Sequence, residues 1–153
     1  MRVLVKAWLT GVVLMMVVAG CTSSGDRNRP PQIRYGEDPC DECYMLITEE
    51  RFAAAYVTEN GRARRFDDIG CMLVFLRKHP EPTARFWVVD YQTHIWIDAT
   101  QAYYVRAPEL KSPMGYGLVA VNNREVAQDI ARQHRGEIFD FQALQQQKDL
   151  LVN

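Results

Sequence analysis

Asn60-Gly61 lies between two runs that read as strands, Arg51 to Val57 and Arg62 to Phe66, and an apolar helix pattern begins directly behind the second. A Glu-Asn-Gly turn supplies the backbone angles that close a tight hairpin, so the two runs are expected to pair. Asp67 or Asp68 then caps a helix running to about Lys78, in which Ile69, Met72, Leu73 and Leu76 recur at three- and four-residue spacing on one stripe. Lys78 and His79 suit its negative end, Pro80 stops it, and Ala84 to Tyr91 returns as a strand rich in aromatic and β-branched residues. Strand, strand, helix, strand makes a small α+β module.

A second, looser copy follows. His94 to Ala99 reads as a strand, Ala102 to Arg106 as a short helix or extended turn, and Leu118 to Val121 as a strand. Asn123 caps a helix from Arg124 to about His134, and Gly136 stops it. Ile138 and Phe139 form a short strand, and Asp140 caps a terminal helix through about Lys148. The expected fold class is α+β, with two small modules at about 35–91 and 92–153. The chain has 153 residues, 48% hydrophobic and 24% charged, which is enough apolar content for a core.

Residues 1–20 read as a targeting segment. Arg2 and Lys6 form a positive start, and Ala7 to Ala19 is an uncharged, mostly apolar run too short and too early for a transmembrane helix. It ends in Val18-Ala19-Gly20-Cys21, which resembles a bacterial lipobox, so Cys21 is expected to carry lipid; simple cleavage after Gly20 is the alternative. Thr22 rather than aspartate after Cys21 favours the outer membrane, facing the periplasm. Residues 21–34 hold Ser-Ser-Gly and Pro-Pro among polar residues, and from Thr22 to about Gln32 they offer little apolar surface to offset ordering entropy. They are expected to form a flexible tether.

Cys40-Asp41-Glu42-Cys43-Tyr44-Met45 packs two thiols and a thioether into six residues. Pro39 sets up the turn, and one loop can bring Cys40 and Cys43 to a single ion at low closure entropy. Soft sulfur donors select Cu(I), zinc or iron–sulfur centres, and a thioether shifts the balance towards Cu(I). Met45, two residues past Cys43, shares a strand face with it. With Cys21 assigned to lipid, Cys40, Cys43 and Cys71 leave at least one thiol without an intramolecular partner in an oxidising compartment. A Cys40–Cys43 disulfide beside a buried free Cys71 is the structural alternative.

Other uses of the pair fit less well. Covalent haem attachment needs His after the second cysteine, where Tyr44 stands, and a zinc ribbon needs a second pair where only Cys71 remains. A periplasmic thiol-disulfide oxidoreductase using Cys40 and Cys43 is the competing function, although Tyr44 to Thr48 does not read as the helix that would lower a thiol pKa. Met114, in the Pro/Gly loop Ser112 to Gly117, is a further candidate donor, and His94 could supply a nitrogen. No Gly-x-Ser-x-Gly, phosphate-binding glycine loop or His-Glu-x-x-His occurs in the sequence, so no enzyme class is indicated. The net charge of −1, without a basic stripe, argues against nucleic acid.

With lipobox, Cys-x-x-Cys-x-Met and Pro113-Met114-Gly115 together, the chain resembles the NosL family of copper-binding lipoproteins. The similarity covers most of the mature domain, including the Phe66–Leu76 segment, Trp96-Ile97-Asp98-Ala99 and Tyr104-Val105. It implies two ββαβ-type modules and a Cu(I) chaperone role in maturing periplasmic nitrous oxide reductase, with the associated membrane assembly machinery as delivery partner. Carried over by motif, Cys43 and Met114 are the leading ligands, with Cys40 and Met45 in support. Tyr44 stands where that motif often has Gly, and Cys71 is an extra thiol.

Overall fold

A computed structural model describes residues 26–148; the expected targeting segment and Cys21 lie outside them. The hairpin forms as β1 (Ala54–Thr58) and β2 (Ala63–Phe66), followed by α1 (Ile69–Lys78) and β3 (Thr83–Val89). A further strand, β4 (Trp96–Asp98), completes an antiparallel sheet in the order β2-β1-β3-β4. The second sheet contains β5 (Tyr103–Arg106), β6 (Leu118–Val121) and β7 (Glu137–Phe139) in the order β6-β5-β7, with α2 (Arg124–His134) between β6 and β7 and α3 (Phe141–Gln145) last. This is the expected α+β class with two small antiparallel sheets, each carrying a strand–strand–helix–strand order.

The modules divide differently from the sequence reading. The strand at 94–99 was expected to open the second copy, yet β4 pairs with β3, Val88 opposite Ile97, and extends the first sheet. Its place in the second sheet is taken by β5, from the segment expected to be a turn or short helix. Tyr103, Tyr104 and Val105 are aromatic or β-branched and favour a strand once a neighbour exists. All five residues of β1 are buried, because it is an inner strand; a short 3-10 turn at Glu50–Phe52 precedes it where alternation had suggested more strand.

In α1 the Asp68 carboxylate accepts from the Gly70 N–H at 2.8 Å. Every residue from Ile69 to Phe75 is buried, so this part of the helix is enclosed rather than one-sided. One enclosing element is the 112–117 loop: a Cβ added at Gly70 would stand 2.1 Å from Cγ of Tyr116. Helix α2 matches its expected bounds, with Asn123 accepting from Val126 N–H at 3.1 Å. Its stop differs. The left-handed residue is Arg135 (φ 52°), whereas Gly136 is required for space, 2.8 Å from the Arg106 carbonyl by the same Cβ measure. Helix α3 ends at Gln145, short of the expected Lys148.

Asp90 joins the two sheets. Its carboxylate accepts from the N–H groups of Gln92, Thr93 and Asn122, while Tyr91 N–H donates to the Ala120 carbonyl at 2.8 Å. Phe141 adds an apolar join, 5.1 Å from the Phe86 ring and 6.1 Å from the Tyr104 ring. The end of the expected tether is packed down: Pro31 and Ile33 are buried, and the Arg65 guanidinium donates to the Gln32 carbonyl at 2.7 Å. Among the described residues, no helix is long and apolar enough to cross a membrane.

Candidate functional site

The Cys40–Met45 loop closes on itself. Cys40 N–H donates to the Met45 carbonyl at 2.8 Å, and Tyr44 N–H donates to the Cys40 carbonyl at 3.0 Å. Tyr44 sits at φ 63°, the left-handed region that favours Gly. The acidic residues inside the loop anchor it. Asp41 accepts from Arg65 N–H at 2.7 Å and pairs with the Arg64 guanidinium at 3.2 Å, and Glu42 pairs with Lys78 at the far end of α1.

Anchored this way, the loop places its thiols against the start of α1. Donor atoms of Cys40, Cys43, Asp67 and Cys71 all lie within 4.8 Å of one another. Cys40, Cys71 and Asp67 are buried, while Cys43 is partly exposed; all three cysteines are free thiols. The Cys43 thiol donates to both carboxylate oxygens of Asp67 at 3.6 Å.

These contacts separate the thiols electrostatically. The Cys71 thiol donating to Cys40 holds Cys40 below its ordinary value, helped by the backbone N–H groups of Cys43 and Asp67 against the cost of burial. Burial pushes Cys43 up to about 12, opposed by the Met45 N–H. Cys71 is raised by its hydrogen bond to Cys40 and then by burial. Cys40 is therefore the thiol whose ionisation the cluster favours most, and Cys43 is the thiol nearest solvent.

Met114 approaches the same helix end from the second module. Its N–H donates to the second oxygen of the Asp68 carboxylate at 3.1 Å, and its half-buried side chain packs against the cluster of core residues that includes Cys40 and Cys71. Ser112 closes the loop, its carbonyl accepting from Gly115 N–H and its hydroxyl from Gly117 N–H, both at 3.0 Å. Met45 is 59% exposed on the rim. Of the four expected donors, Cys40 and Cys43 thus converge, Met114 is fixed to the adjoining helix cap, and Met45 faces outward. His94 pairs with Glu50 at 3.2 Å on the surface, outside the donor group.

Two members of the group were missing from the expected ligand set. Cys71 was read as a small buried residue, and it is buried, but its thiol meets Cys40. Asp67 and Asp68 were read together as a helix cap; Asp68 alone does that work, which leaves Asp67 for the thiols. The adjacency of two carboxylates where one suffices to cap was the available signal. The Cys40–Cys43 pair does not open a helix: an isolated bridge links Pro39 to Leu46, and residues 44–49 are irregular. The helix start belongs to Cys71.

The NosL family model matches residues 33–148. The curated protein "Copper-binding lipoprotein NosL" of Stutzerimonas stutzeri is 27% identical over 151 residues, covering 90% of this chain and 79% of the relative. The crystal structure of the copper chaperone NosL from Shewanella denitrificans superposes with a TM-score of 0.65 at 18% identity, covering 74% of this chain and 93% of that one. That likeness bears on the fold. Neither relative is named as an enzyme.

Proposed function

The chain belongs to the NosL family, and from that premise we propose that it is a lipid-anchored periplasmic carrier of Cu(I). The supporting observation is the convergence of the Cys40 and Cys43 thiols in one cluster with a single partly exposed member. Buried sulfur favours the soft monovalent ion, and an exposed edge lets an acceptor's ligand enter.

Cys43 and Met114 are the leading ligands in this reading, supported by Cys40 and Met45. Cys40 supplies a sulfur whose ionised form is favoured by the backbone N–H groups of Cys43 and Asp67. Cys43 loses its proton on binding, and the Met45 N–H receives the charge on its sulfur. Met45, exposed at the rim, meets an incoming partner first and passes the ion by exchange of one sulfur for another. The acceptor is a periplasmic copper enzyme, nitrous oxide reductase by family analogy, reached through its membrane assembly machinery. Cys21 carries the anchor, placed in the outer membrane.

The test is an anaerobic titration of the reduced full chain with Cu(I) against a competing chelator. Binding near one ion per chain is expected, with Cys43→Ser weakening it by about two orders of magnitude or more while the fold is kept. Unchanged affinity in that variant would remove the assignment.

A further inference from the structure

A zinc ribbon needs a second cysteine pair, and among the described residues only Cys71 remains besides Cys40 and Cys43, but the fold supplies the remaining donors from one helix start. We propose that Cys40, Cys43, Cys71 and Asp67 form a closed four-donor site for a divalent d10 cation, with Zn2+ as the type, and that this site competes with the copper reading for Cys43. The site stands on its own geometry and shares only Cys40 and Cys43 with the carrier assignment.

Geometry is the first support. Four donors around zinc at metal–sulfur lengths of about 2.3 Å stand about 3.8 Å apart. The four donor atoms here lie within 4.8 Å of one another, and Cys43 is already 3.6 Å from both Asp67 oxygens. Two cysteines come from a tight turn anchored through Asp41 and Glu42, and two donors from the start of α1.

Asp67 is the second support and decides the ion. Its carboxylate is 2% exposed, and among the described residues its hydrogen-bond partners are thiols alone, without an amine, guanidinium or amide. A buried carboxylate served only by weak thiol donors is costly, and a cation beside it would offset that cost. Cu(I) gains little from a hard oxygen, whereas zinc takes three sulfurs and one carboxylate oxygen in a tetrahedral site. A doubly charged ion also neutralises more of a four-anion set than a singly charged one.

Backbone N–H groups are already turned towards the sulfurs: Cys43 and Asp67 N–H to Cys40, and Met45 N–H to Cys43. Such outer contacts orient metal-bound thiolates. Three of the four donors are buried, as in a retained ion rather than a passing one. Filling the site would occupy Cys43 and withdraw the chain from carrying copper through that sulfur.

The experiment uses the reduced, metal-free full chain with Co2+ as a spectroscopic stand-in, followed by Zn2+. One equivalent of Co2+ should give thiolate charge-transfer absorption and the visible bands of a tetrahedral ion, both lost on adding Zn2+. Cys71→Ser should lower the charge-transfer intensity by about one third, as one of three sulfurs is removed, and weaken Co2+ by about 100-fold. Asp67→Asn should weaken Co2+ by about 10- to 100-fold and Cu(I) by clearly less, because only the divalent ion draws on the carboxylate oxygen. Weak six-coordinate Co2+ bands in the wild-type chain would overturn the proposal whether or not either variant folds. Equal losses of Cu(I) and Co2+ in Asp67→Asn would also overturn it, assigning the cluster to copper alone. Tetrahedral Co2+ binding without Cu(I) binding would sink the carrier reading and leave this site standing.

Discussion

The N–H of Met114 donates to the Asp68 carboxylate at 3.1 Å, while the other oxygen of that carboxylate caps α1 at Gly70. One buried side chain thus sets the start of the helix that presents Cys71 and holds the loop that presents Met114. Burial raises the Asp68 pKa, opposed by hydrogen bonds from the Ser112 hydroxyl and the Gly70 and Met114 N–H groups.

Removing that side chain should affect stability and binding together. Asp68→Ala leaves the buried Gly70 N–H and the partly buried Met114 N–H without their acceptor and is expected to cost about 1–3 kcal/mol. Asp68→Asn keeps one acceptor oxygen and should cost less. Urea unfolding gives the stability difference, and chelator competition should show weaker Cu(I) binding in Asp68→Ala. Full affinity in a folded Asp68→Ala chain would mean that the Met114 loop needs no such fixing.

Gly70 sets the distance between the same loop and helix. An added Cβ would lie 2.1 and 2.2 Å from ring carbons of Tyr116 and 2.7 Å from its Cβ, so the ring must leave. Gly70→Ala should therefore destabilise by about 1–3 kcal/mol despite alanine's better helix propensity. Tyr116→Ala in the same chain should recover part of the loss. A purely additive double-mutant cycle would show that the two residues do not press on each other.

What could be read from the sequence was local. Asn123 and the periodic apolar residues behind it fix α2 to the residue, and Asp68 fixes the start of α1, because caps and helix faces are set within a few positions. Strand partners are chosen across the fold. The Trp96 segment carries no mark saying that it will pair with Val89 rather than with the strands after it, so β4 was assigned to the wrong sheet. The Cys40–Cys43 pair was visible as a motif. Its meeting with Cys71 was not, because the loop is aimed by Asp41 on β2 and Glu42 on α1, contacts that exist only once the sheet and helix have packed.

Tyr44 bears a backbone cost that glycine would relieve. It lies at φ 63° and is 81% exposed, so its side chain gives little packing in return. The left-handed penalty is about 1–2 kcal/mol, and glycine's greater freedom in the unfolded chain offsets about half of it. Tyr44→Gly should raise stability by about 0.5–1 kcal/mol without moving Cu(I) affinity. A lower melting temperature in the variant would show that the exposed ring contributes more than its surroundings suggest.

Glu81 should govern part of the response to acid. It accepts from Arg64 Nε at 2.9 Å and from the Tyr56 hydroxyl at 2.7 Å, while Arg64 also reaches Asp41 at the base of the cysteine loop. The hydrogen bond from Arg64 holds Glu81 below its ordinary value of 4.5, against burial. A carboxylate whose folded value is depressed contributes stability that is fully present above its unfolded value and is lost as pH falls through the folded one. Stability should therefore decline as pH drops below about 4.5, and Glu81→Gln should flatten that decline while lowering stability near neutrality by about 1–2 kcal/mol. Asp38, Asp90 and Asp98 are also held low and add their own acid dependence, so the quantity to measure is the difference between wild-type and variant urea midpoints from pH 7 to pH 3. A constant difference across that range would show that Glu81 takes no part in the acid response.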